Sequence, residues 1–86
     1  MPQKTRELHL PHAVRVQRRA IRKRLSQLMG GRTQRGWSRE LDVPQQNISR
    51  YLSGGSSPHV DFLIHVGRRE KVNLNWLVLG EGRMKR

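Results

Sequence analysis

The sequence predicts an all-α domain built from five helices. Apolar residues recur three or four positions apart along each long segment, the spacing that gathers them on one helix face. No stretch alternates apolar and polar residues for long enough to make a strand. Glycines, prolines and serine clusters punctuate the chain at about a helix length.

Residues 1–12 contain Pro2 and Pro11 and no sustained periodicity, and read as a flexible basic arm with Lys4 and Arg6. The first helix is expected over residues 13–29. Val14, Ile21, Leu25 and Leu28 fall on one stripe, with Gln17 filling its gap. Gly30-Gly31 ends it, because glycine takes the left-handed conformation that closes a helix. Thr33 offers a side-chain oxygen as cap for a second helix, residues 34–41, with Trp37 and Leu41 one turn apart. Asp42-Val43 makes a tight turn. Pro44 opens a third helix, ending at Leu52, at a position where its missing N–H costs little. Ile48, Tyr51 and Leu52 form its inward face.

Residues 53–57 are a loop of serine and glycine. Ser57 caps and Pro58 starts the fourth helix, with Asp61 in the first turn, where the helix dipole favours a carboxylate. Val60, Leu63, Ile64 and Gly67 fit one buried face. Residues 71–73 break the pattern, Asn73 caps a last short helix over residues 74–79, and Gly80 closes it. The helical domain thus covers residues 13–82, and residues 83–86 form a basic tail.

Composition bounds what such a domain does. Its 86 residues carry 18 Lys and Arg against six Asp and Glu, a formal net charge of +12. Only 34% are hydrophobic, enough for a small core but leaving little room for a catalytic cavity. The longest apolar run, Trp76-Leu77-Val78-Leu79, is far short of the roughly 20 residues of a membrane span. With no cysteine, disulfides and thiol chemistry are out and a structural zinc would lack thiolate ligands. His9, His12, His59 and His65 lack ligand spacing, and no carboxylate pair stands near a nucleophile. The chain is therefore expected to be no enzyme, to hold no metal or other cofactor, and to take no small-molecule ligand. Trp37 and Trp76 read as core rather than as stacking platforms. An excess of positive charge this large awaits a polyanion.

The charge is uneven, +8 over residues 1–43 and +4 over residues 44–86. Its densest run holds Arg15, Arg18, Arg19, Arg22, Lys23 and Arg24 and no acid. These arginines are expected to spread round more than one face of the first helix, with part of that helix, near its ends, meeting phosphate. A run like this also fits a solvated helix face or a grip on RNA.

The second and third helices are separated by too few residues for an extended loop, so they cross steeply, as in a helix-turn-helix. Small Ser38 sits where they approach, and Val43 and Ile48 plug the angle. The third helix then exposes Gln45, Gln46, Asn47, Ser49 and Arg50, all hydrogen-bonding and none apolar. Amides of Gln and Asn pair with adenine N6 and N7, and Arg pairs with guanine O6 and N7, which is what reading the major groove requires.

The segment Thr33-Gln34-Arg35-Gly36-Trp37-Ser38-Arg39-Glu40-Leu41-Asp42-Val43-Pro44-Gln45-Gln46-Asn47-Ile48-Ser49-Arg50-Tyr51-Leu52-Ser53-Gly54 resembles the DNA-binding motif of the lambda repressor and Cro family. The pieces Pro58-His59-Val60-Asp61-Phe62-Leu63-Ile64, Val72-Asn73-Leu74-Asn75-Trp76-Leu77 and Gly80-Glu81-Gly82 resemble the end of the phage repressor type of that domain. The resemblance implies a five-helix fold that binds double-stranded operator DNA as a homodimer. It implies that Gln34 bonds a phosphate and braces Gln45, that Gln45 reads adenine, and that Gln46 is the next base reader. It implies that Asn47 faces groove or phosphate, that Arg50 touches base or backbone, and that the amides of the Ser53-Gly54 loop approach phosphate. Arg35 and Ser49 complete the expected DNA-binding set.

Four residues depart from the family pattern. Asp42 stands where glycine is usual, and tolerates the left-handed turn at modest cost. Pro44 replaces a small capping residue. Gly36 lies inside a helix at roughly 1 kcal/mol relative to alanine. Glu70 takes a place that is usually apolar. None of these lies on the reading face.

The expected function is a sequence-specific transcriptional regulator, a repressor of phage type. It would act on DNA in the cytoplasm of a bacterium or phage-infected cell, at the nucleoid. The dimer surface is expected at Val78 and Leu79 of the last helix. A controller or antitoxin-type regulator with a protein partner, and a basic RNA-binding module, are the alternatives. The chain ends at Arg86, soon after Gly80-Glu81-Gly82, as either a trimmed domain or a short regulator would.

Overall fold

The computed structural model describes residues 12–86, with side chains from Arg15 onward. The arm, with Lys4, Arg6 and His9, lies outside the described residues, as does the side chain of Val14. Five helical segments follow one another: α1 (His12–Met29), α2 (Gln34–Leu41), α3 (Gln45–Ser53), α4 (Val60–Arg69) and α5 (Asn75–Leu79). Among the described residues the only β pairing is an isolated bridge between Val72 and Lys85.

α1 is polar over most of its surface and buries a narrow stripe, Leu25 and Leu28, with Ile21 and Met29 packed against its edge. Gly30, at φ 61°, closes it. Thr33 caps α2 by accepting from the Gly36 amide at 2.9 Å. A Cβ on Gly36 would lie 3.1 Å from that Thr33 hydroxyl, so glycine gives the cap its room. Trp37 and Leu41 are fully buried, and Ser38 donates its hydroxyl to the Arg35 carbonyl at 2.7 Å.

α3 lies one residue later than expected at both ends. Pro44 is its cap rather than its first residue, with an extended ψ of 139° and no side-chain cap bond. The Pro44 carbonyl instead accepts the first helical bond, from the Asn47 amide at 3.0 Å. The loop after it also differs from expectation. Ser57 and Pro58 lie outside any helix, His59, in an extended conformation, is the cap of α4, and the helix starts at Val60.

The buried face of α4 is rotated as well. Leu63 and Gly67 are inside as expected, but the other core positions are Phe62 and Val66, while Val60 is 67% and Ile64 37% exposed. The Phe62 ring meets Tyr51 of α3 with centroids 4.6 Å apart. An aromatic pair removes more apolar surface from water than a valine does, and this contact sets the rotation of α4.

α5 starts later than expected: Leu74, with no side-chain cap bond, is its cap residue, and Asn73 stands one residue before it, its carboxamide oxygen accepting from the Asn75 amide at 3.0 Å. α5 is a wide turn of π type closed by Gly80 at φ 76°. Leu77 is buried from it, and Trp76 and Val78 are half-buried against the core. Arg24 of α1 donates to the carbonyls of Leu77 at 3.1 Å and Val78 at 3.4 Å, satisfying the open end of α5. Residues 83–86 fold back on the turn after α4, where Met84 packs on the core and its carbonyl accepts from the Asn73 amide at 2.8 Å.

Glu70, in its unusual place, closes α4 and anchors a polar cluster. Arg32 reaches it with Nη2 at 3.0 Å and pairs with Glu40 through Nη1 at 2.7 Å. The same guanidinium donates to the carbonyls of Leu28 and Met29 at the end of α1. One side chain thereby ties the ends of α1 and α4 to α2.

Candidate nucleic-acid interface

The α2–α3 corner is made by backbone conformation. Asp42 adopts φ 61° and ψ 46°, the left-handed region that aspartate tolerates, and reverses the chain within one residue. The Val43 amide then bonds the Ser38 carbonyl at 3.0 Å. Ile48 is fully buried and Val43 half-buried in the angle between the helices. With Ile48 and Tyr51 turned inward, the opposite face of α3 is turned to solvent.

That face carries Gln45, Gln46, Ser49, Arg50 and Ser53, all exposed, with exposed Gly54 just past the helix. Pro44, Gln45, Gln46 and Ser49 line one shallow open surface around the first turn. Asn47 stands apart from them. It is half-buried and lines a second depression with Asp42, Tyr51 and His59, on the side of α4. Gln34 is half-buried and Arg35 exposed at the start of α2. Among the described residues, no hydrogen bond joins Gln34 to Gln45.

The loop after α3 spends its amides internally. The Arg50 carbonyl accepts from the amides of Gly54 at 3.1 Å, Gly55 at 2.9 Å and Ser56 at 3.4 Å. It also accepts from the Ser53 hydroxyl at 3.2 Å. Gly54, at φ 88°, permits this closure.

Two groups stand out among the basic residues that sequence reasoning did not separate. Arg24, Arg32, Arg69 and Lys85 are engaged within the fold, Arg69 on the Glu40 carbonyl and Lys85 on the Glu70 carbonyl. Arg15, Arg18, Arg19 and Arg22 instead line one cleft with the loop after α3, and Arg19 and Arg22 also border a second depression with Lys23, Ser26 and Leu52. The spacing of three, four and seven among the four arginines puts them on one stripe of a helix, a signal present in the sequence. What that stripe faces is decided by the packing of α1 on α3.

His65, one of the histidines without ligand spacing, donates its Nε2 hydrogen to the Leu41 carbonyl. Among the described residues, no three His, Asp or Glu side chains are grouped so as to hold a metal ion. No helix among them is long and apolar enough to cross a membrane.

A family model described as the bacteriophage CI repressor helix-turn-helix domain matches residues 20–85. The match takes in α2 through α5 and begins inside α1, after Arg15, Arg18 and Arg19. No curated protein and no solved structure matches the chain.

Proposed function

The chain belongs to the bacteriophage CI repressor helix-turn-helix domain family, and from that premise we propose that it is a phage-type repressor that binds operator DNA as a dimer. α3 enters the major groove, and Gln45 and Gln46 read base edges from its first turn. Ser49 and Arg50 follow on the same face, Gln34, Arg35, Asn47 and Ser53 contact the backbone or the groove wall, and Gly54, its amide held by the Arg50 carbonyl, lets the loop come close to the backbone. Repression is steric: the bound dimer occupies DNA that polymerase needs. The protein acts in the cytoplasm, on the nucleoid, and needs no cofactor and no catalytic step.

The observation that carries this reading is the outward face of α3. Gln45, Gln46 and Ser49 surround one open surface with no charged side chain among them. Phosphate attraction alone does not call for neutral amides there, whereas base reading does. For dimerisation, the support is Leu79, 56% exposed at the end of α5, while its neighbour Val78 packs against the core.

Selection of binding sites from random DNA tests the reading. The expected result is a near-palindromic consensus with half-sites about 34 Å apart, one helical turn. Recovery of no consensus, or of a single asymmetric half-site bound by a monomer, would overturn it. If six to eight phosphates are neutralised, log affinity falls with log salt at a slope of about −5 to −7.

A further inference from the structure

α1 and the loop after α3 enclose a cleft of about 260 Å³, into which Arg15, Arg18, Arg19 and Arg22 converge beside Gly54. We infer that this cleft holds one or two backbone phosphates of the duplex, at the edge of the bases that α3 reads. The inference rests on the DNA-binding reading and adds to it a clamp, three of whose four arginines lie ahead of the family-matched stretch.

The four arginines run along α1 over seven positions, about 10 Å of helix axis. No carboxylate lines the cleft, and among the described residues the only side-chain ion pairs are those of Arg32. Four like charges held together repel one another unless an anion joins them. The planar guanidinium fork matches a phosphate in a bidentate way.

Arg22 is the seated member. A Cβ on Gly54 would meet its Cζ and Nη1 at 3.1 Å, so the glycine that ends α3 also makes room for this guanidinium. The negative end of the α3 dipole accounts for one arginine there but not for four. The loop amides are turned onto the Arg50 carbonyl, so the anion-binding capacity of this corner resides in the side chains.

Position identifies the ligand as duplex backbone. α3 has nine residues, about 13 Å of helix, and the major groove is about 12 Å wide. With Gln45 and Gln46 at base edges, the far end of α3 reaches the groove wall, where the phosphates lie. Double-stranded RNA has a major groove too narrow to admit α3 in this way.

The test uses the full chain and a duplex recovered by selection from random DNA. Arg15 and Arg18 are both exposed, so the double variant Arg15→Gln/Arg18→Gln keeps the fold. Arg68→Gln/Arg83→Gln removes the same charge from exposed positions elsewhere. The cleft variant is expected to lose about tenfold in affinity at low salt, equally on selected and scrambled duplex, and to flatten the salt slope by about one to two. The control pair loses less than half as much. Replacing single flanking phosphates by neutral methylphosphonate weakens the wild type at one or two positions and weakens the cleft variant, which keeps Arg19 and Arg22, clearly less there. Equal losses in the control pair would overturn the clamp, as would a methylphosphonate effect of undiminished size in the cleft variant. So would a loss confined to a structured RNA hairpin. If selected and scrambled duplexes bind alike while the salt and methylphosphonate effects hold, the base-reading function fails and the clamp stands.

Discussion

The Glu70 carboxylate accepts from Arg32 Nη2 at 3.0 Å and from Trp37 Nε1 at 3.2 Å, joining the end of α4 to the loop before α2 and to the centre of the core. Trp37 is fully buried, so its indole N–H has no access to water and depends on this acceptor. Arg32 also lies over the Trp37 ring, 5.6 Å from its centroid. A charged residue in a place that is usually apolar is accommodated because it meets a cation and a buried donor together.

Glu70→Gln keeps an acceptor of the same size but removes its charge. The expected cost is about 2 kcal/mol, since hydrogen bonds to charged groups contribute that much. For a domain of this size the thermal midpoint falls by roughly 8–16 °C. Thermal unfolding followed by circular dichroism measures it, and an unchanged midpoint would sink the assigned role of Glu70.

The same carboxyl sets a pH dependence. Burial pushes it up, but the hydrogen bonds from Arg32 and Trp37 and the charges of Arg32 and Lys85 outweigh burial and hold it below the ordinary carboxylate value. A carboxyl held lower in the folded chain contributes stability that is complete above its unfolded value. That stability drains away as pH falls through the folded value. Urea midpoints between about pH 6 and pH 3 are expected to fall more steeply in wild type than in Glu70→Gln. Parallel curves would show that Glu70 does not carry the effect.

Gln45→Ala and Gln46→Ala are each expected to cost about 1–3 kcal/mol on the selected operator, roughly ten- to a hundredfold, with little change on scrambled duplex. Fluorescence anisotropy at fixed salt separates the two. Equal losses on both duplexes would mean that these glutamines do not read bases.

Asp42 gives a test of the corner. Asp42→Gly removes the Cβ penalty of the left-handed turn and is expected to stabilise the domain by up to about 1 kcal/mol. Asp42→Val places a β-branched residue at φ 61° and is expected to destabilise it. Urea midpoints that move in the opposite order would contradict the turn geometry.

Leu79→Glu addresses the dimer. Sedimentation should then give a monomer, with weakened binding to a two-half-site operator but unchanged affinity for one half-site. A dimer that survives this change places its surface elsewhere, and exposed Val60 and Ile64 of α4 become the next positions to alter.

By itself the sequence determined the all-α class, the breaks between helices, the left-handed turn at Asp42 and the polar face around Gln45 and Gln46. These are local properties: the helical period, the glycines and a proline act through residues within a turn or two. Tertiary structure alone decided the rotation of α4, because apolar residues occupy two of its sides and the period does not choose between them. The Tyr51–Phe62 contact does. It also decided what each basic residue does. Arg24 and Arg22 are neighbours in one basic run, yet one satisfies the carbonyls of α5 and the other lies against Gly54. The role of a charge depends on the carbonyl, carboxylate or open cleft opposite it, and that partner is brought near only when distant segments pack.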